Sequence, residues 1–282
     1  MAGRLRTTGV HRRQLLTLAG LGLLAPVASG CQTRPVTLPK RPVGPRRIAY
    51  GHDLSQFVEL TVPAGDPKGV VVVVHGGFWK AEYDIEYGRP LAASLAEHGW
   101  AAWNIEYRRV GNGGGDPATF DDVAAAIDAL DDRDLDLTRV LGLGHSAGGH
   151  LVTWAASRGR FPRWSAKVDL TGVVAQAGVL DLDAAFEKDL SNGAVHAFLG
   201  HRPGRDDVRL DPIQQVPLDI PVHCIHGSDD TIVPISQSRD YVAAATAAGA
   251  TAELTEVAGD HFVLIDPASQ AWKQTLTILD GL

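Results

Sequence analysis

Val140-Leu-Gly-Leu-Gly-His-Ser-Ala-Gly-Gly-His150 is an apolar run that ends in Gly144-His145-Ser146-Ala147-Gly148 and then continues as a helical pattern. A serine with glycine two residues before it and two after it fits a tight turn from strand to helix, because side chains at those positions would collide with the neighbouring strand and helix. Such a turn lifts the Ser146 hydroxyl clear of a sheet and sets it beside a helix N-terminus, where an oxyanion is favoured. Ser146 is therefore the candidate nucleophile. The chain holds 31 glycines, enough for this pattern to arise by chance, so the surrounding segments have to decide.

Upstream, residues 69–74 (Gly-Val-Val-Val-Val-Val) are β-branched with no polar alternation, as expected of a strand covered on both faces of a parallel sheet. They empty into His75-Gly76-Gly77-Phe78-Trp79. Backbone amides freed by paired glycines after a central strand can converge on one point, so this loop is a candidate oxyanion hole, with an ordinary glycine turn as the alternative. Further strands are predicted at 57–62, 100–105, 138–143, 170–177, 220–225 and 252–257. Helices are predicted at 90–98, 118–130, 150–157 and 270–279, with an Ala-rich one ending at 243–249. Strands alternating with helices predict an α/β fold: a doubly wound, mainly parallel sheet with helices on both faces, whose sites lie at the carboxyl ends of its strands.

The 282 residues suffice for one large α/β domain, and 45% apolar with 21% charged residues is ordinary for a globular chain. The charge is unevenly placed: residues 1–47 hold nine of the 26 Lys and Arg and no Asp or Glu, so 17 bases face 33 acids in the remainder. A body near −16 repels phosphate backbones, which argues against nucleic acid as a partner. With only Cys31 and Cys224, neither a disulfide framework nor a Cys-based zinc site is available. No H-E-x-x-H spacing is present, and neither a metal nor another cofactor is assigned.

Residues 1–31 read as an export signal. Arg12-Arg13 precedes a short apolar segment broken by Pro26, too short to be a stable membrane span. Ala28-Ser29-Gly30-Cys31 resembles the bacterial lipoprotein cleavage box, with Ala28 where Leu, Val or Ile is usual, so lipidation of Cys31 and plain cleavage both stay open. Residues 32–47 contain four prolines and no core pattern, which predicts an extended tether before a domain at 48–282. An exported domain, membrane-tethered if Cys31 is lipidated, is the expectation; the oligomeric state is not legible.

A serine is too weak an acid to ionise unaided, so Ser146 needs an imidazole to take its proton and a carboxylate to hold that imidazole in one tautomer. His226-Gly-Ser-Asp229-Asp230-Thr-Ile-Val-Pro234 puts acids just after a predicted strand, and Gly259-Asp260-His261-Phe262 puts a histidine just after the last one. Serine, acid, histidine is the chain order this architecture uses. Among eleven histidines His261 is the candidate base. His145 and His150 sit in the serine turn and its helix as packing or orienting residues, and His75 and His226 brace their own loops. The acid lies between Asp229 and Asp230, while Asp260 would point away from His261 in extended geometry.

These residues resemble the α/β-hydrolase superfamily, and within it the esterase branch carrying His-Gly-Gly-x-Trp, which includes hormone-sensitive-lipase-like esterases and kynurenine formamidases. The resemblance covers about residues 50–279 and rests on His75-Gly-Gly-Phe-Trp79, Gly144-His-Ser-Ala-Gly148, and His226 to Pro234 with His261. It implies Ser146, Asp230 and His261 as a catalytic triad, with the amides of Gly77, Phe78 and Ala147 receiving the oxyanion. Phe78 stands where many lipase-like members have a third glycine, which looks more like the formamidase variant, and no large lid insertion is evident. Trp79, Tyr107 and Phe262 are candidates to line the substrate pocket, with core packing as the alternative for each. The leading expectation is a serine hydrolase acting on a small carboxylic ester. An arylformamidase or other amidase using the same residues is the second, and a non-catalytic binding module on the same scaffold the third.

Overall fold

The computed structural model describes residues 42–282. Its strands are β1 (Val43–Ala49), β2 (Phe57–Val62), β3 (Val70–Val74), β4 (Ala101–Ile105), β5 (Val140–His145), β6 (Gly172–Gln176), β7 (Val222–Gly227) and β8 (Ala252–Val257). They form one sheet in the order β1-β2-β4-β3-β5-β6-β7-β8. β2 runs antiparallel to both its neighbours, and every pairing from β4 to β8 is parallel. The expected doubly wound, mainly parallel sheet is what the chain forms.

The five valines of β3 explain how the layers close. Each is at most 1% exposed: Val71 and Val73 meet one helical layer, Val70, Val72 and Val74 the other. Side chains alternate across a strand, so an all-valine strand buries both faces, at about 1.5–3 kcal/mol per side chain. On the first face α1 (Arg89–Glu97) and α7 (Gln270–Gly281) contribute Leu91, Leu95, Trp272 and Leu276. On the second, α2 (Ala118–Asp128), α3 (Ala147–Ala155) and α6 (Ser236–Ala247) contribute Phe120, Leu151, Trp154 and Tyr241.

From β3 the chain crosses through α1 to β4 on one side, then returns through α2 to β5 on the other. That reversal is the topological switch point, where a crevice opens at the strands' carboxyl ends. The parallel register pairs Val74 with Gly144, so the loop after β3 and the turn after β5 leave the sheet side by side.

Two expectations need correction. The tether expected over 32–47 gives way by Val43, where β1 pairs with β2, so residues 43–47 belong to the sheet. They escaped notice because β1 is an exposed edge strand, and a strand with no buried face shows no hydrophobic alternation. The stretch between β6 and β7 carried no predicted element, yet it forms α4 (Leu182–Glu187) and α5 (Ala194–Leu199). Helices of six residues are too short to display a period; the Asp181 side chain, accepting from the Ala184 amide, caps the first of them. The export signal, the proposed Cys31 lipid site and residues 32–41 lie outside the described residues.

Candidate active site

Ser146 occupies the turn between β5 and α3 with φ 57° and ψ −120°, a conformation that L-residues avoid at a cost of order 1–3 kcal/mol. What enforces it is close approach of backbone on both sides. A Cβ on Gly148 would lie 2.0 Å from the Val74 carbonyl oxygen, and one on Gly144 2.2 Å from that of Gly148. Glycines at minus two and plus two are therefore required by contact. The Ser146 amide donates to the Gln176 carbonyl at 2.8 Å, fixing the turn to β6.

His261 and Asp230 come together as the sequence order suggests. His261 Nδ1 donates to Asp230 Oδ2 at 2.6 Å, and both side chains are almost wholly enclosed. Asp230 Oδ1 accepts from the amides of Ile232 (2.8 Å) and Val233 (2.9 Å), so the carboxylate cannot rotate away. Burial by itself would raise the Asp230 carboxyl; hydrogen bonds from His226 and His261, the His261 charge and the Val233 amide together outweigh it and hold the group well below the usual carboxylate range. Asp229 is exposed, and Asp260 Oδ1 turns back onto the amides of Phe262 and Val263. Neither faces the imidazole.

Ser146 and His261 line one cleft of about 50 Å³ together with Gly76, Gly77, Phe78 and Phe262. A far larger groove of about 1000 Å³ runs along β1, β2 and α1 and contains none of the three side chains Ser146, Asp230 and His261. Gly77 (φ 110°), Phe78 (φ 53°) and Trp79 (φ 57°) form a left-handed run, held by bonds from the Lys80 amide to Gly77 (2.9 Å) and from the Val110 amide to Trp79 (2.8 Å). The amides of Gly77, Phe78 and Ala147 donate to no protein acceptor among the described residues.

Of the pocket candidates only Phe262 lines the cleft, half-exposed at its rim. Trp79 is fully buried, its indole donating to His150 Nδ1 at 3.2 Å and its ring stacked on Phe198 at 4.6 Å. Its backbone belongs to the cleft loop but its side chain is turned into the core. Tyr107 is likewise buried and donates to the His75 carbonyl at 2.7 Å, beneath the loop. Tyr83, Tyr87, Ile232 and Ile265 complete the cleft and were not anticipated. They sit in loops or, for Tyr87 and Ile265, in single 3-10 turns, and their approach exists only in three dimensions: a Cβ on Gly77 would lie 2.2 Å from that of Tyr83.

Three buried histidines around the site bond across its loops. His145 Nε2 donates to the His261 carbonyl at 2.9 Å, tying the serine turn to the histidine loop, and burial beside the His261 ring lowers its pKa to about 3. His150 Nε2 donates to the Leu210 carbonyl at 2.9 Å and burial lowers it to about 4. His226 bridges Ser238 and the Val233 carbonyl within the acid loop. Among the described residues no three His, Cys, Asp or Glu side chains converge as metal ligands.

A mainly parallel sheet with a glycine-flanked serine turn at its switch point, Asp230 after β7 and His261 after β8 has the α/β-hydrolase fold. The chain belongs to the BD-FAE family, whose model matches residues 59–244. It is 29% identical over 227 residues to esterase LipC of Mycobacterium tuberculosis, and 26% identical over 237 residues to the isoprenylcysteine alpha-carbonyl methylesterase ICME of Arabidopsis thaliana. These alignments cover 72% and 76% of this chain and 55% of each relative, so the chain spans about half the length of both. Among solved structures, esterase B from Lactobacillus rhamnosis superposes with a TM-score of 0.73 at 22% identity, covering 86% of each chain. A truncated carbohydrate esterase from gut microbiota superposes with a TM-score of 0.70 at 21% identity, covering 87% of this chain and 97% of that one. At such identities the likeness is one of fold.

Proposed function

We propose that this protein is a serine hydrolase of small carboxylic esters working through an acyl-enzyme. Ser146 Oγ attacks the carbonyl carbon while its proton passes to Nε2 of His261, and Asp230 keeps the other ring proton on Nδ1 and stabilises the imidazolium. The carbonyl oxygen becomes an oxyanion received by the amides of Gly77, Phe78 and Ala147. Its collapse breaks the ester C–O bond, and the alcohol departs with the proton His261 returns. Water, deprotonated by the same imidazole, then attacks the acyl carbon and frees Ser146 and the acid. The observation that carries this reading is the 2.6 Å His261–Asp230 bond beside a cleft that Ser146 also lines.

The esterase names of the relatives support an ester as substrate. The cleft volume of about 50 Å³ has room for only a few waters, at about 10–15 Å³ of such space for each, and supports a short acyl group. Ser146→Ala is expected to lower turnover of p-nitrophenyl acetate by at least ~10³-fold with an unchanged circular dichroism spectrum. Unaltered turnover in that variant refutes the mechanism. We propose in addition that residues 1–31 direct export; mass spectrometry of the mature N-terminus in a bacterial host distinguishes lipidated Cys31, plain cleavage and an uncut chain, the last of which contradicts export.

A further inference from the structure

The loop carrying Gly77 and Phe78 is gripped from beneath by a buried group of side chains that the mechanism above does not use. Arg109 is 4% exposed, and its Nη1 bonds to Glu106 Oε1 while lying 3.3 Å from His75 Nε2. The Glu106 carboxylate is occupied on both oxygens: Oε1 also accepts from the Tyr107 amide at 2.9 Å, and Oε2 from the Ile85 amide at 2.9 Å. His75 Nε2 stands between two groups at 3.3 Å, the Arg109 Nη1 donor and the Glu106 Oε1 acceptor, which call for opposite tautomers; the guanidinium can only donate and so favours an accepting Nε2 with the ring proton on Nδ1. Nδ1 lies 2.8 Å from the Gly76 carbonyl oxygen, which can only accept. The shorter contact to the Gly76 carbonyl and the guanidinium together favour the Nδ1-protonated tautomer over the one Glu106 alone would draw, and full burial next to a cation, which lowers the His75 pKa to about 3, keeps the ring from taking a second proton. Tyr107 completes the brace, stacked on the imidazole at 4.5 Å and donating to the His75 carbonyl.

The consequence reaches the cleft through one peptide unit. In a planar trans peptide the N–H points opposite to the C=O, so a Gly76 carbonyl drawn toward the His75 ring sends the Gly77 amide to the other side. We propose that Arg109 is a positioning residue: by holding the His75 proton on Nδ1 it fixes the Gly76–Gly77 peptide so that the Gly77 amide faces the oxyanion. This rests on the ester-hydrolase reading. Without the guanidinium, Glu106 Oε1, 3.3 Å from His75 Nε2, is the partner left at that nitrogen. A carboxylate draws the proton to Nε2; Nδ1 then faces the Gly76 oxygen lone pair to lone pair, and the peptide is free to turn.

The test has three readings. In the wild-type protein the ¹⁵N NMR shifts of His75 are expected to show protonation on Nδ1; an Nε2-protonated ring overturns the proposal without any variant. In Arg109→Met the proton moves to Nε2, kcat for p-nitrophenyl acetate falls by about tenfold or more with KM within about twofold, and Ki for a trifluoromethyl ketone, which forms an oxyanion on the serine, rises by the same factor. Arg109→Lys keeps a cationic donor and retains the Nδ1 tautomer with kcat within about threefold. A merely structural role lowers Tm without moving the tautomer or splitting kcat from KM. If turnover depends on Ser146 while a folded Arg109→Met keeps both kcat and tautomer, this proposal alone falls; if turnover survives Ser146→Ala, the hydrolase reading falls and takes this one with it.

Discussion

Replacing Asp230 by asparagine exchanges one carboxylate oxygen for an NH₂ group and reverses the logic of the hydrogen bond to His261. The carboxylate now offers Oδ1 to two amides, those of Ile232 and Val233, and Oδ2 to His261 Nδ1. An asparagine has one acceptor oxygen. Turning its NH₂ toward the two amides would leave two buried donors unsatisfied, at about 1–3 kcal/mol each, whereas turning it toward the single imidazole nitrogen lets that nitrogen accept instead. The second orientation wins by about 2–6 kcal/mol on the same reckoning. His261 Nδ1 then carries no proton, Nε2 does, and Nε2 can no longer take the proton of Ser146. The expected loss in kcat is about 10⁴-fold, equivalent to about 5.4 kcal/mol of transition-state stabilisation; the NH₂ can no longer accept from His226 Nε2 at 3.3 Å, which keeps its bond to the Val233 carbonyl, so a loss of stability of about 1–3 kcal/mol is expected beside it. Steady-state hydrolysis of p-nitrophenyl acetate at neutral pH measures it, alongside urea unfolding of the same samples. Asp229→Asn, at an exposed position, should stay within about twofold of wild type. A folded Asp230→Asn enzyme that keeps more than about a tenth of wild-type kcat would refute the tautomer argument, and equal losses in the two variants would refute the choice of acid.

Gly148→Ala should abolish soluble protein or destabilise it by about 3 kcal/mol or more, because the new methyl meets the Val74 carbonyl at 2.0 Å, while Gly65→Ala, with open space around it, should change the urea midpoint negligibly. Phe262→Ala should raise KM with little effect on stability, and Trp79→Phe should destabilise by about 1–3 kcal/mol while leaving acyl-chain preference untouched; a shifted preference in the Trp79 variant would return that side chain to the pocket. His75 and His145 have pKa values lowered to about 3, and His150 to about 4, all by burial first. The unfolded chain takes up protons at these sites near pH 6.5 while the folded one does not, so stability is full above that pH and falls as pH drops toward 4. The slope is about 1.4 kcal/mol per pH unit for each ring, or up to about 4 for the three. Urea midpoints that stay level between pH 7 and pH 5 would contradict this.

How much of this was legible beforehand varied with the distance over which each feature is determined. The valine run of β3 and the glycine-flanked Ser146 announce themselves because a doubly buried strand and a turn without room for Cβ atoms each impose a local composition. Asp230 and His261 were legible as loop residues after strands, in the order the fold requires. Preferring Asp230 to Asp229 needed a family resemblance; the fold shows the reason, since Asp230 alone of the two is turned inward onto the amides of Ile232 and Val233.

What only the tertiary structure decided is which way side chains face. Trp79 and Tyr107 are pocket candidates for which core packing is already the stronger reading, and packing against Phe198 and under the His75 carbonyl places both in the core. The cleft wall of Tyr83, Tyr87, Ile232 and Ile265, and the Arg109 grip on His75, join segments whose sequences carry no mark of one another. Periodicity and turn chemistry are properties of neighbouring residues, so a single chain records them. Facing, tautomer and cleft shape are set by contacts between residues far apart in sequence, and those exist only once the sheet has brought its strand ends together.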